Sequence, residues 1–209
     1  MRIITLPTNT IGLVVRGKKS DTHNPGAMEQ HADCVLPTGE PIGFFGDNGD
    51  GSSGGSSGSS SNRGLSASWN STGMNMKGVV ANYNDLLKIR PFYVDFALAK
   101  KYQVISTLLL IQVTHEQGAL FTQAWKNMKL SPGSFHILGG NCSSHASIAF
   151  VEAKLVNSSI PGLDTPNNLY KQLKAKMTGK CKIYSGYIGF KPKTSGQYDI
   201  LVEEITPTP

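Results

Sequence analysis

The stretch Phe135-His136-Ile137-Leu138-Gly139-Gly140-Asn141-Cys142-Ser143-Ser144-His145-Ala146-Ser147-Ile148-Ala149-Phe150 constrains this chain more than any other. It reads as a short strand, a Gly-Gly break, and a helix whose first turn carries a cysteine. Ala146, Ala149, Phe150 and Ala153 fall at i, i+3, i+4 and i+7, so they form one apolar helix face. Cys142 lies four residues before Ala146 and shares that inward face. A thiol there meets unpaired backbone N–H groups and the positive end of the helix dipole, and both favour thiolate. A free cysteine also packs as a small hydrophobe, so the residue alone fits either a structural or a chemical role. The glycines and the helix start favour the chemical one, and Cys142 is the candidate nucleophile.

A nucleophilic cysteine needs a base, and the chain has five histidines. His145 is three residues further along the same helix, where reaching back over the thiol is difficult. His136 lies on the preceding strand. His115 follows Thr114 at a helix start, a surface position, and His23 sits in a polar loop. His31 opens the strand-like run His31-Ala32-Asp33-Cys34-Val35-Leu36-Pro37. Thr38-Gly39-Glu40-Pro41 then turns that run into Ile42-Gly43-Phe44-Phe45-Gly46. A histidine on a sheet beside a cysteine-bearing helix is the arrangement cysteine hydrolases use, with partners distant in sequence. The base also needs a group on its other ring nitrogen. Asp33, two residues along on the same face of the strand, and Asp47, after the second hairpin strand, are the two candidates.

This order, an upstream His31 hairpin and a downstream helix-start Asn141-Cys142, resembles the circularly permuted papain-like hydrolases. That group includes permuted NlpC/P60 enzymes, lecithin:retinol acyltransferase-like proteins and PPPDE isopeptidases. Among them, Gly43-Phe44-Phe45-Gly46, Thr114-His115-Glu116-Gln117 and Ile160-Pro161-Gly162-Leu163-Asp164-Thr165-Pro166 make the chain most similar to amidase effectors of type VI secretion. The similarity spans about residues 29–173. It differs from the commonest pattern in lacking a glycine before His31. The resemblance implies an α+β, permuted papain-like fold in which an antiparallel sheet packs against helices and the nucleophile sits at a helix N-terminus. It also implies amide hydrolysis of peptidoglycan peptide stems, no cofactor, and as partners an immunity protein and a secretion-apparatus component. The same site on a different substrate gives the alternatives of a protein-directed isopeptidase or a thioester acyltransferase. A non-enzymatic binding module on the same scaffold is the third reading.

With 209 residues the chain is long enough for one domain with a substantial core, expected over 1–209. The net charge of +6 suits an anionic partner. Lys/Arg residues are not interleaved with aromatics in a stripe, which argues against nucleic acid. Cys34, Cys142 and Cys181 are widely spaced and form neither a disulfide framework nor a metal-binding pair. Asp47, Asn48 and Asp50 resemble the start of a calcium loop but lack the glutamate at its twelfth position, so no metal is expected. Met1 to Pro7 has no long apolar segment of the Sec type, and Leu108-Leu109-Leu110-Ile111 is too short to span a bilayer. The expectation is therefore a chain made in the cytoplasm without a transmembrane segment, then exported by dedicated machinery to the periplasm of a target cell.

Along the rest of the chain, Ile11-Gly12-Leu13-Val14-Val15 reads as a strand. A flexible Gly/Ser-rich loop is expected at about 49–63, either a flap beside the site or a surface insertion. Pro91 to Leu98 reads as a strand from its aromatic and β-branched residues. Leu108 to Val113 reads as a strand buried on both faces. Thr114 and Gln117 make a capping box for a helix with a Phe121, Ala124, Trp125, Met128 stripe. Thr165 and Pro166 start another helix. Cys181–Phe190 and Tyr198–Ile205 alternate as a terminal hairpin.

Overall fold

The structure, a computed structural model, describes residues 1–26, 29–47, 76–135, 141–157 and 165–205, with Asp47 and Met76 described by their backbone alone. The Gly/Ser loop expected at about 49–63, His136 and the Gly139-Gly140 break lie outside the described residues.

The architecture is α+β, built on one antiparallel sheet. Its strands are β1 (Arg2–Thr5), β2 (Thr10–Arg16), β3 (His31–Val35), β4 (Pro41–Asp47), β5 (Met76–Asn82), β6 (Ile105–Gln112), β7 (Ser134–Phe135), β8 (Cys181–Pro192) and β9 (Tyr198–Glu204). Among the described residues they lie in the order β1-β9-β8-β6-β2-β3-β4-β5-β7. The helices are α1 (Tyr83–Ile89), α2 (Phe96–Lys101), α3 (His115–Leu130), α4 (Cys142–Glu152) and α5 (Pro166–Lys176).

The apolar run in β6 is explained by its place between β2 and β8 with both sheet faces covered. Leu109 and Ile111 join Ile11, Leu13 and Val15 of β2 beneath α3, α4 and α5, in a core that includes Trp125 and Phe150. Leu108 and Leu110 point the other way, with Val14, Ile188 and Ile200, into a second core closed by Leu86 of α1 and by Tyr93 and Val94. Alternation along β3 follows the same division. Ala32 and Cys34 face the first core, so His31, Asp33 and Val35 face the second.

The helix signals in the sequence act as expected. Thr114 and Gln117 form the reciprocal cap of α3, and Thr165 caps α5 with Pro166 in its first turn. Pro91 to Leu98 is not a strand. Pro91–Tyr93 forms a 3-10 turn and Asp95 caps α2 by accepting from Leu98 N–H. Pro91 pre-sets a helical φ at the first position, and an N-capping Asp three residues before an N–H outweighs the strand propensity of the aromatics.

Candidate active site

Cys142 is the first residue of α4, an eleven-residue helix packed on β3, β4 and α3. Asn141 caps it, its Oδ1 accepting from the N–H groups of Ser143 at 3.1 Å and Ser144 at 3.0 Å. Ser144 Oγ accepts in return from Asn141 N–H at 2.8 Å. The helix start anticipated from the sequence thus has a full reciprocal cap, and its cysteine stands at the positive pole.

The sheet opens to admit it. β3 pairs with β4 only from Asp33↔Gly43 to Val35↔Pro41, whereas β4 continues along β5 to Asp47↔Lys77. His31 and Ala32 therefore have no β4 partner. Cys142 fills that place: its sulfur accepts from the Ala32 backbone N–H and is hydrogen-bonded to the His31 side chain. His31 Nε2 is held by Asp33 Oδ1 at 2.9 Å. The other ring nitrogen, Nδ1, is the one left for the sulfur. The other oxygen of Asp33, Oδ2, accepts from Arg16 Nε at 2.8 Å. Sulfur, imidazole, carboxylate and guanidinium thus form one chain of contacts.

Burial sharpens its electrostatics. Asp33 is fully buried, and Cys142 and His31 keep 7% and 8% of their surface, enough to be touched from outside but not bathed. Burial by itself disfavours the His31 cation, but the adjacent Cys142 and Asp33 outweigh it and raise the pKa to about 9. Burial pushes the Cys142 thiol up, and His31 with the Ala32 N–H more than reverses this, leaving it below the ordinary thiol value. Asp33 is held below the usual carboxylate range because His31 and Arg16 overcome its desolvation. The His31 and Cys142 directions both favour the thiolate–imidazolium form of the pair.

Aromatic rings wall the imidazole. Phe45 lies at 4.4 Å between ring centroids with planes 25° apart, and Tyr93 at 5.6 Å with planes 24° apart. Gly43, directly opposite Asp33, makes room for the carboxylate, since a Cβ there would collide with Asp33 Oδ1 and the Phe45 ring.

Of the residues singled out in the sequence, His31, Asp33 and Cys142 come together. Asp47 ends β4 beside Lys77, and its side chain lies outside the described residues. His145 turns away from the sulfur: Nε2 donates to the Pro132 carbonyl at 3.1 Å and the ring stacks on Phe44. His115 is exposed at the start of α3. Cys34 is fully buried, and burial drives its thiol well above the ordinary value, so it has the opposite character to Cys142. Arg16 and Tyr93 were not anticipated as neighbours of the site. Their signals were an arginine closing an apolar strand and a tyrosine in a segment that reads as β.

Among the described residues no group of three His, Cys, Asp or Glu is placed to hold a metal, and no helix is long and apolar enough to cross a membrane. Compared with family models, curated proteins and solved structures, the chain matches none.

Proposed function

We propose that this protein is a cysteine amide hydrolase of the permuted papain-like kind, cleaving the peptide stems of peptidoglycan as an exported antibacterial effector. The observation that carries the reading is the helix-borne Cys142 hydrogen-bonded to a strand-borne His31 whose far nitrogen is held by Asp33. The Cys142 thiolate attacks the amide carbonyl carbon and the C=O π electrons move to oxygen. That oxyanion accepts from the Cys142 N–H, which the Asn141 cap does not use. His31 gives its proton to the departing amine as the C–N bond breaks, leaving a thioester. The neutral imidazole then takes a proton from water. The hydroxide adds to the thioester, and the thiolate leaves with the imidazolium restored. The net charge of +6 suits a polyanionic wall.

The test has two parts. Purified protein is incubated with peptidoglycan and the soluble fragments are analysed by mass spectrometry, with Cys142→Ala as control; new amine termini in the wild type alone are expected. The chain is also expressed in a Gram-negative host with and without a periplasmic leader, and lysis or rounding is expected only with the leader. Equal toxicity in the cytoplasm points to a protein substrate and refutes the wall. Toxicity that survives Cys142→Ala refutes the enzyme.

A further inference from the structure

Arg16 closes β2, is 1% exposed, and lies directly across from His31 in the strand register. A guanidinium that deep forfeits its hydration, which only well-aimed acceptors offset. Beyond its bond to Asp33 Oδ2, Nη2 donates to the Tyr93 carbonyl at 2.8 Å and Nη1 to Ser106 Oγ at 3.4 Å. Its central carbon stands 4.7 Å from the Tyr93 ring centroid. Two of the groups that touch the imidazole from its own side of the sheet, the Asp33 carboxylate and the Tyr93 ring, are therefore tied to one fork, while Phe45 packs on the ring independently of it.

We propose that Arg16 is a positioning residue of this site: its guanidinium fixes the Asp33 carboxylate so that Oδ1 meets His31 Nε2, and pins the Pro91–Tyr93 turn whose ring packs on the imidazole. The inference rests on the hydrolase reading for its catalytic meaning. Its geometry depends only on the residues named. The planar fork is essential to the argument, because a lysine ammonium matches the charge but cannot bridge a carboxylate and a carbonyl at fixed angles. A buried ion pair that merely stabilises the sheet would tolerate that exchange in the behaviour of the thiol. The titratable and charged groups facing His31 are Cys142 from α4, Asp33 on β3, Arg16 on β2 and Tyr93 from the 3-10 turn, with Arg90 acting on Tyr93.

The experiment follows iodoacetamide alkylation of Cys142 against pH by peptide mass spectrometry, in a Cys181→Ser background so that the partly exposed Cys181 does not compete. Arg16→Lys is expected to raise the pH midpoint by about one unit, which is about tenfold slower labelling below it. Arg16→Met on an Asp33→Asn background is expected to add less shift than it causes alone, because its route through Asp33 is already broken and only the Tyr93 turn remains. A lysine variant whose profile coincides with the wild type while its melting temperature falls overturns the proposal. So do additive shifts in the double variant. If Arg16→Met does not fold, Arg16→Lys alone decides. Wild-type Cys142 titrating like an ordinary thiol refutes the hydrolase reading and the proposal together. A shifted midpoint without release of peptidoglycan fragments refutes the substrate and sustains the role of Arg16.

Discussion

Replacing Asp33 by asparagine tests the centre of this arrangement with one atom. The carboxylate presents one oxygen to Arg16 Nε and the other to His31 Nε2, and both partners are donors. An asparagine offers a single acceptor oxygen to those two donors, so its amide must confront one of them N–H to N–H. It also removes the only anion in contact with a fully buried guanidinium among the described residues. Breaking one side of a buried ion pair costs about 3–5 kcal/mol. For a chain of this length that is a fall in melting temperature of about 10 °C. The sign with pH follows from the direction of the Asp33 shift. Its folded value is depressed, so its stabilisation is complete above the unfolded carboxylate value of about 3.9 and is lost as pH falls through the folded value. Urea unfolding of wild type and Asp33→Asn should therefore differ by several kcal/mol at neutral pH, and the curves should converge in strong acid. Turnover should fall by about 10^3–10^4, because an amide donor facing Nε2 forces the proton to the wrong ring nitrogen. Unfolding free energies within about 1 kcal/mol at neutral pH, or a gap that persists undiminished in acid, would refute the reasoning.

Two further outcomes are expected. Gly43→Ala places a methyl against Asp33 Oδ1 and the Phe45 ring, and overpacking of this kind costs about 1–3 kcal/mol; calorimetry should show the loss, and labelling of Cys142 should slow with it as the carboxylate is displaced. Lys18 is fully buried, donating to the His23 carbonyl and to Asn167 Oδ1, and burial with Lys171 and Lys174 nearby lowers its pKa to about 8 against the opposing Asp21. An unfolded chain then binds more protons between that value and the ordinary lysine value, so wild-type stability should rise with pH across that window, and Lys18→Met should flatten the rise in a pH series of urea melts.

The helix start at Cys142 and the strand at His31 were legible because each has a local signature: capping residues and i, i+3, i+4 spacing in one, an apolar run ended by a Thr-Gly-Glu-Pro turn in the other. Strand periodicity put Asp33 on the same face as His31 but did not decide between it and Asp47. What remained hidden depends on pairing between distant segments. Nothing near Arg16 in sequence says that its strand lies beside β3 with Arg16 opposite His31. Tyr93 was hidden by a conflict of local signals, in which Pro91 and the Asp95 cap prevailed over aromatic β propensity. The peeling of β4 away from His31 and Ala32 has no sequence signature at all, since β4 is apolar throughout its described side chains and simply finds a longer partner in β5.

His31 and Asp33, the proposed base and its orienting carboxylate, sit two residues apart on one short strand, and this makes the arrangement digital. A slip of β3 by one residue would carry His31 and Asp33 together to the helix-covered face and bring Ala32 and Cys34 into their places. A slip leaves no intermediate register in which the histidine is in place and its carboxylate is not. A one-residue deletion in the segment between β2 and β3 that shifted the strand would therefore silence the protein outright and strand two polar groups in an apolar core, whereas the same change in a loop-borne site would only weaken it. Register thus holds the pair as a single unit: a point change can displace one partner, whereas a slip moves both together.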